Sequence, residues 1–394
     1  MSASDRPDLC IGVLGMGSRG TVARHAERPG RGSRVTVVCD PDPKAAGRAR
    51  ETFGDVTVVT GMDDLIAAKP DAVVIATPDD AHEQNAVDLL EAGIPVYVEK
   101  PLAITVEGAD RVLHGARHSK ARLYVGHNMR HMPVILLMRD LIARGAIGEV
   151  KAVWCRHFVG HGGDFYFKDW HAERSRGTGL LLQKGAHDID VIHWLASGYT
   201  RRVTAMGALT LYDKVADRAD NSGTMMKEWF SYDVWPPLSQ TKLNPRLDVE
   251  DLSMVTMALD NGVFATYQQC HYTPDYWRNY TVIGTEGRLE NVGDGEPGSV
   301  VKVWNRRHDW DPDGDAVYRV PVETGGHGGA DSRIIGEFLD FVRDGGRTNT
   351  SPIAAREAVA TGVRATESLR DGGMPRDVPP VDAATVAYFE GGQA

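Results

Sequence analysis

The chain has 394 residues, 42% of them hydrophobic and 25% charged, the proportions of a soluble globular protein long enough for two domains. Its 44 basic against 54 acidic residues leave a formal charge of −10, which argues against a nucleic-acid partner, since phosphate binding calls for a basic face. Cys10, Cys39, Cys155 and Cys270 are widely spaced with no Cys-x-x-Cys pair, so a reducing cytoplasm is expected, and neither a signal-peptide pattern in MSASDRPDLC nor an apolar run of membrane-spanning length is present.

Taken in order, Ile11 to Leu14 is a short apolar strand followed by GMGSRG, Gly15 to Gly20, and by Thr21 to Glu27, which can continue as a helix. Glycines at this spacing permit a tight turn and close approach of backbone to a pyrophosphate, and the helix start offers its N–H groups to the phosphates. Gly15, Met16, Gly17, Ser18 and Arg19 are therefore candidate cofactor contacts. A second strand, Arg34 to Cys39, ends in Asp40, where a carboxylate meets ribose hydroxyls and repels a 2′-phosphate. NAD is favoured over NADP, with Arg19 and Lys44 as the nearby positive charges that bear on that choice.

A helix (Pro43 to Phe53), a strand (Val56 to Thr60), a short helix from Met62 and the run Ala72 to Ile75 follow. That run ends in ATPDDAH, where Thr77, Pro78 and His82 are candidates for cofactor contact and Thr77, Asp79 and His82 equally for helix capping. The helix Glu83 to Ala92 leads to VYVEKPLA, Val96 to Ala103, the stretch on which the first half turns. Its strand stops at Glu99, Lys100 and Pro101, so a lysine leans over whatever binds at the carboxyl edge of the sheet. Thr105 to His118 and Leu123 to Gly126 complete an alternation of strands and helices that marks a doubly wound parallel sheet.

Beyond Pro133 a helix (Val134 to Arg144) precedes a long strand, Val150 to Phe158, and an aromatic loop, HGGDFYFKDWHAERSRGTG. Tyr166 and Trp170 suit stacking on a sugar ring, and Asp164, Asp169, His171 and Arg174 suit hydroxyl groups. The helix LLLQKGAHDIDVIHWL, Leu180 to Leu195, is apolar except for a stripe: Gln183, His187 and Asp190 share one face, and Lys184 and Asp188 form an i, i+4 pair. A polar stripe on a buried helix is costly unless it is satisfied or used. Asn128, Gln183 and Lys184 complete the candidate substrate contacts.

The remainder reads as antiparallel sheet, with strands at Arg202 to Leu211, Asp251 to Asp260, Val263 to His271, Asn279 to Gly284 and Val300 to Trp304, and turns at Asp260-Asn261-Gly262 and Glu286-Gly287. Residues 213–246 show no period; a lid and an oligomer contact are both open. GGHGGAD, Gly325 to Asp331, caps a helix from Ser332 to Asp344, a last helix runs from Ile353 to Leu369, and the tail after Gly372 is expected to meander over the surface.

GMGSRG, ATPDDAH, VYVEKPLA and GLLLQKGAHDID together resemble the Gfo/Idh/MocA family of NAD(P)-dependent oxidoreductases over most of the chain. The resemblance implies a Rossmann domain over residues 1–128. It also implies an α+β domain over 129–394, with a large, mostly antiparallel sheet that covers the nicotinamide and C-terminal helices that pack back on the first domain. It implies sugar or cyclitol substrates and a homodimer or homotetramer joined through that sheet. By the same resemblance Lys100 contacts the reacting hydroxyl and His187 is the acid/base. The aspartate that inositol-dehydrogenase-like members carry four residues before that histidine is Gln183 here, which can neither take a proton nor raise the histidine's basicity by charge. Asp190, on the face of His187, and Asp188 are the carboxylates that can replace it, and spacing favours Asp190.

The chemistry agrees: a histidine suits removal of a hydroxyl proton near neutrality, and a lysine stabilises the alkoxide. A rival reading is an NAD-dependent glycosidase, which oxidises a sugar, eliminates the aglycone, adds water and reduces the ring again, with Tyr166, His161 or His171 as the extra acid/base. His157, His161, Asp164, Asp169, His171 and His187 could also cluster around a metal, but none of their spacings is a familiar ligand pattern, so no metal is expected.

Overall fold

The computed structural model describes residues 7–393, so the start of the leader reading, residues 1–6, lies outside the described residues. The chain divides into two units, one holding residues up to Asn128 with Gly329–Arg356 and the segment from Val381, the other holding Met129–Gly328 and Glu357–Pro380.

Unit 1 is a six-stranded parallel sheet of β1 (Leu9–Leu14), β2 (Ser33–Cys39), β3 (Thr57–Val59), β4 (Ala72–Ile75), β5 (Val96–Val98) and β6 (Leu123–Val125), in the order β3-β2-β1-β4-β5-β6. The order reverses between β1 and β4, the switch point at which such sheets bind ligands beyond their carboxyl ends. Strands β4, β5 and β6 are buried on both faces, as crossover helices demand. Ile11, Val13, Val74 and Tyr97 pack with Ile334, Phe338 and Phe341 of the helix Ala330–Asp344. The segment after the glycine loop winds as a 3₁₀ helix, Gly20–Ala26, tighter than the expected helix, with Val22 N–H donating to Arg19 O.

The tail departs from the expected meander. Arg376–Asp377 adds a short edge strand in unit 2, and Ala383–Glu390 is a helix of unit 1 capped by Asp382. Gln393 then takes the place of a missing strand at the β6 edge: its amide exchanges two 2.8 Å hydrogen bonds with the Leu123 backbone.

Unit 2 is built on a nine-stranded sheet of β7 (Val150–Phe158), β8 (Thr200–Ala208), β9 (Leu252–Leu259), β10 (Phe264–Cys270), β11 (Trp277–Gly284), β12 (Arg288–Val292), β13 (Val300–Trp304), β14 (Ala316–Arg319) and β15 (Arg376–Asp377). The order is β14-β13-β12-β11-β7-β10-β9-β8-β15, antiparallel except for the central β7–β10 pair. Of these, β12 and β14 were not expected from the sequence. The expected helix over Leu180 to Leu195 is broken at Lys184 into Leu180–Gln183 and Gly185–Ala196. Gly185 lies so close to the sheet that a Cβ there would sit 3.1 Å from the Tyr267 ring, tighter than an ordinary van der Waals contact.

Residues 213–246 fold onto the aromatic loop of their own unit. Trp229 Nε1 donates to Asp164 O at 2.9 Å, Gln240 Nε2 donates to the Asp164 carboxylate at 3.0 Å, and the Phe230 and Tyr232 rings stand 5.1 and 4.9 Å from that of His161.

Candidate active site

In unit 1 the candidates gather behind the carboxyl ends of β1, β2, β4 and β5. Gly15 has φ +91°, and a Cβ there would stand 2.8 Å from Ala76 O; at Gly20 it would stand 2.4 Å from Gly15 O. The loop is therefore flush against the end of β4, whereas beside Gly17 there is open space. Asp40 orients the loop, its carboxylate accepting Met16 N–H at 2.6 Å and Asp42 N–H at 2.8 Å. These features fit a dinucleotide: a glycine cradle, an open position above it and a carboxylate at the second strand end.

Arg19 is engaged by two buried carboxylates. Its Nε donates to Glu99 at 2.7 Å, and its two terminal nitrogens bind Asp331 at 2.8 and 3.0 Å. The fork matches carboxylate geometry, so this arginine ties the glycine loop to the start of the helix Ala330–Asp344. Asp331 also accepts from Asn128 Nδ2 at 2.9 Å, and Glu99 from Tyr97 Oη at 3.0 Å. Burial, then the Glu99 charge, keeps that tyrosine protonated. His82 is a strut between two strand-end loops, its ring nitrogens 2.7 Å from Pro101 O and 2.9 Å from Thr77 O. The Thr77 hydroxyl accepts from Asn85 at 3.0 Å, and Pro78 precedes the turn Asp79–Ala81. Lys100 leaves β5 directly after Glu99.

In unit 2, His187 is buried on the first turn of Gly185–Ala196, its ring 6.3 Å from that of His327, and Gln183 is buried at the end of the preceding turn. Asp190 is gripped by Arg130 through two 2.7 Å hydrogen bonds, with the guanidinium 5.2 Å over the Trp194 ring. Both of its carboxylate oxygens are thereby engaged by one guanidinium. Asp188 is drawn into the sheet. It accepts from His157 Nδ1 and Tyr267 Oη at 2.9 Å each, with Tyr280 as a further donor, and forms an ion pair with Arg278, whose Nε stands 3.0 Å away. Burial alone would raise its pKa; Arg278, His157 and Tyr280 override that and hold it well below the usual range. Burial, then Arg278, pushes His157 down to about 3, so it is neutral and donates Nδ1–H to Asp188.

The aromatic loop forms its own set. Asp164 binds Lys168 at 2.8 Å, Asp169 binds His171, Trp170 stacks on His171, and Tyr166 stands edge-on to both His171 and His271. Lys184 Nζ is 5.9 Å from the Tyr166 ring. Among the described residues no three histidine, cysteine or acidic side chains are arranged to hold a metal ion.

Sequence reasoning missed Asp331, Arg130, Arg278 and His271, and it named His157 only as a candidate metal ligand. His157 and Arg278 did carry a signal: each sits at an inward position of an alternating strand, in line with Val153 and Cys155 or with Tyr280 and Val282, where an apolar residue belongs.

A family model described as an oxidoreductase family with an NAD-binding Rossmann fold matches residues 9–127, and one for the GFO/IDH/MocA C-terminal domain matches 135–290. The Bacillus subtilis protein YteT is 25% identical over 77% of this chain and 82% of its own. An inositol 2-dehydrogenase/D-chiro-inositol 3-dehydrogenase of Shouchella clausii is 32% identical over 50% of this chain, which spans only 55% of that relative. A levoglucosan dehydrogenase, solved with NADH and levoglucosan, shares the fold with a TM-score of 0.76 at 20% identity, over 94% of this chain and all of the other.

Proposed function

The chain belongs to the Gfo/Idh/MocA family of NAD-binding oxidoreductases, and from this premise we propose that it moves a hydride between NAD and a hydroxyl-bearing carbon of a sugar, glycoside or cyclitol. The observation that carries the reading is the placement of the glycine loop, Asp40, the Thr77 turn and Lys100 behind four neighbouring strand ends at the switch point. NAD is preferred over NADP because Asp40 stands where a 2′-phosphate would lie and Arg19 is taken up by Glu99 and Asp331.

NAD supplies the hydride acceptor when bound. Lys100 stabilises the alkoxide electrostatically, and His187 takes the hydroxyl proton. With Asp190 clamped by Arg130, its role is to hold the helix that carries His187. Inositol and levoglucosan are the substrates named for similar proteins, and the substrate class here is assigned by that likeness. The cytoplasm is the proposed compartment: the four cysteines are unpaired, and among the described residues no helix is long and apolar enough to cross a membrane. A homodimer or homotetramer is proposed because Trp154, Met206, Met254 and Phe264, 50 to 69% exposed, stand on one face of the nine-stranded sheet. Trp154→Glu with Phe264→Glu then yields a monomer by light scattering; an unchanged mass removes that face from assembly.

The test is the near-ultraviolet absorbance of NADH with NAD and a panel of free sugars, cyclitols and aryl glycosides, with aglycone release followed in parallel. NADH from a free polyol is expected; none from any member of the panel sinks the reading. One observation keeps the glycosidase in view: a second carboxylate-bound histidine, His171, lies beside Tyr166. Aglycone release without net NADH would select that activity.

A further inference from the structure

The chain passes between its two units four times, and two of those crossings meet at one carboxylate. The outward passage leaves unit 1 after Asn128, and the return re-enters it at Gly329. Asp331 follows the return in the first turn of the helix Ala330–Asp344 and is buried. Its Oδ1 accepts from Arg19 Nη2 at 3.0 Å and from Asn128 Nδ2 at 2.9 Å, and its Oδ2 accepts from Arg19 Nη1 at 2.8 Å. One side chain thus holds the glycine loop, the residue before the outward crossing and the helix that follows the return.

The other two crossings are stiffened by their own backbone: one runs inside the helix Pro352–Arg370, and the other directly follows Pro379 and Pro380. The pair at Asp331 is different. The return approaches through Gly325, His327, Gly328 and Gly329, all with φ between +52° and +113°, and its glycines leave the backbone free to change those angles. The outward crossing runs into a single 3₁₀ turn, Asn128–His131. Asn128 is buried and its Oδ1 has no hydrogen-bond partner among the described residues, so the bond to Asp331 is the one that fixes its amide. Each crossing takes its order from Asp331, the first through that bond and the second through the first turn of the helix.

We propose that Asp331 is a positioning residue that couples cofactor occupancy of the glycine loop to the order of both crossings. A pyrophosphate held by the N–H groups of the loop restrains the loop. Arg19 belongs to that loop, so its fork on Asp331 is restrained with it, and the Asn128 bond and the start of the helix gain order in turn. The coupling is reciprocal: whatever loosens the crossings weakens the cofactor by the same factor. The proposal rests on the dinucleotide-binding reading of unit 1 and is independent of the substrate.

Backbone amide exchange read by mass spectrometry tests this on the full chain, with and without saturating NAD. In the wild type, NAD is expected to slow exchange at least about fivefold in segments 15–20, 126–132 and 325–333, while the helix Pro352–Arg370 stays unchanged. Asn128→Ala should remove the effect at 126–132 and leave it at 325–333, a split that a merely structural role would not produce. Asp331→Asn should remove it at both crossings and weaken NAD about tenfold by calorimetry. Should Asp331→Asn fail to fold, Arg19→Lys takes its place, since an ammonium keeps the charge and loses the fork. Slower exchange at 15–20 alone in the wild type, or protection of both crossings that survives loss of the fork, overturns the proposal and leaves the hydride-transfer reading intact. No protection in any segment and no heat on titration with NAD or NADP overturns the cofactor reading and the proposal together.

Discussion

Two ionic networks, one in each unit, are built in opposite senses. In unit 1 a cation, Arg19, is shared by two carboxylates, and its side chain keeps 32% of its surface exposed. In unit 2 an anion, Asp188, is shared by Arg278, His157 and two tyrosines, all of them buried. The first ties a loop to a strand end and a helix start, where a cofactor arrives. The second fills the centre of a sheet, where its members must satisfy one another. An open network serves binding, and a closed one serves architecture.

The largest expected effect is on the closed network. Asp188→Ala leaves the buried Arg278 cation with only Asp294, 3.7 Å from its guanidinium, so the folded state should lose about 3–5 kcal/mol. Arg19→Ala, with water able to reach the site, should lose only about 1–2 kcal/mol while weakening NAD. Denaturant melts of both variants check this. Equal losses would erase the distinction between the two networks.

Next is chemistry, where neighbours of each network are expected to behave alike. Lys100→Ala and His187→Ala should each lower turnover at least about a hundredfold while NAD binding survives, the scale of losing an acid/base or electrostatic group. Steady-state kinetics with cofactor titration separates the two effects. Near-normal turnover in either variant removes that residue from the mechanism.

Smaller still is cofactor choice. Asp40→Ala should weaken NAD by roughly tenfold relative to NADP, the value of a hydrogen bond to a charged group. Because Asp40 also holds Met16 N–H, both affinities should fall somewhat. An unchanged ratio of the two dissociation constants would show that Asp40 positions the loop without reading the ribose.

The open network was the more legible of the two in sequence. Its glycine loop, Asp40 and the Glu99-Lys100 pair each directly follow a strand, so local spacing carries the signal. Asp331 was visible only as a helix start, because its partner Arg19 is 312 residues away. The closed network is spread over β7, β10, β11 and the helix Gly185–Ala196, and only strand register brings these together. Helical spacing paired Asp188 with Lys184 and set Asp190 beside His187, and it is blind to the sheet beneath, where His157 and Arg278 claim the first, and to the turn Asn128–His131, from which Arg130 claims the second. β14 was missed as a four-residue edge strand, and β12, though paired on both sides, because RLENV has Asn291 at a buried position and so lacks an apolar alternation.

The finest test of the closed network is its acid response. His157 titrates near 6.5 in an unfolded chain and at about 3 in the fold, so between those values the unfolded state binds the extra proton. Stability contributed by this group is complete above pH 6.5 and drains away as pH falls toward 3, by up to about 1.4 kcal/mol per pH unit. His271, also depressed by burial, adds to the slope in the same direction, and Asp188 joins only below about 4, where free aspartates begin to protonate. Measured between pH 6.5 and 4.5, the stability of His157→Gln should therefore fall with a slope about one proton shallower than that of the wild type, and the residual slope should shrink again in His157→Gln combined with His271→Gln. A slope unchanged in the single variant would mean that His157 is protonated in the fold, and a cation there, facing Arg278, would turn the closed network from a mutually satisfied cluster into a repulsive one.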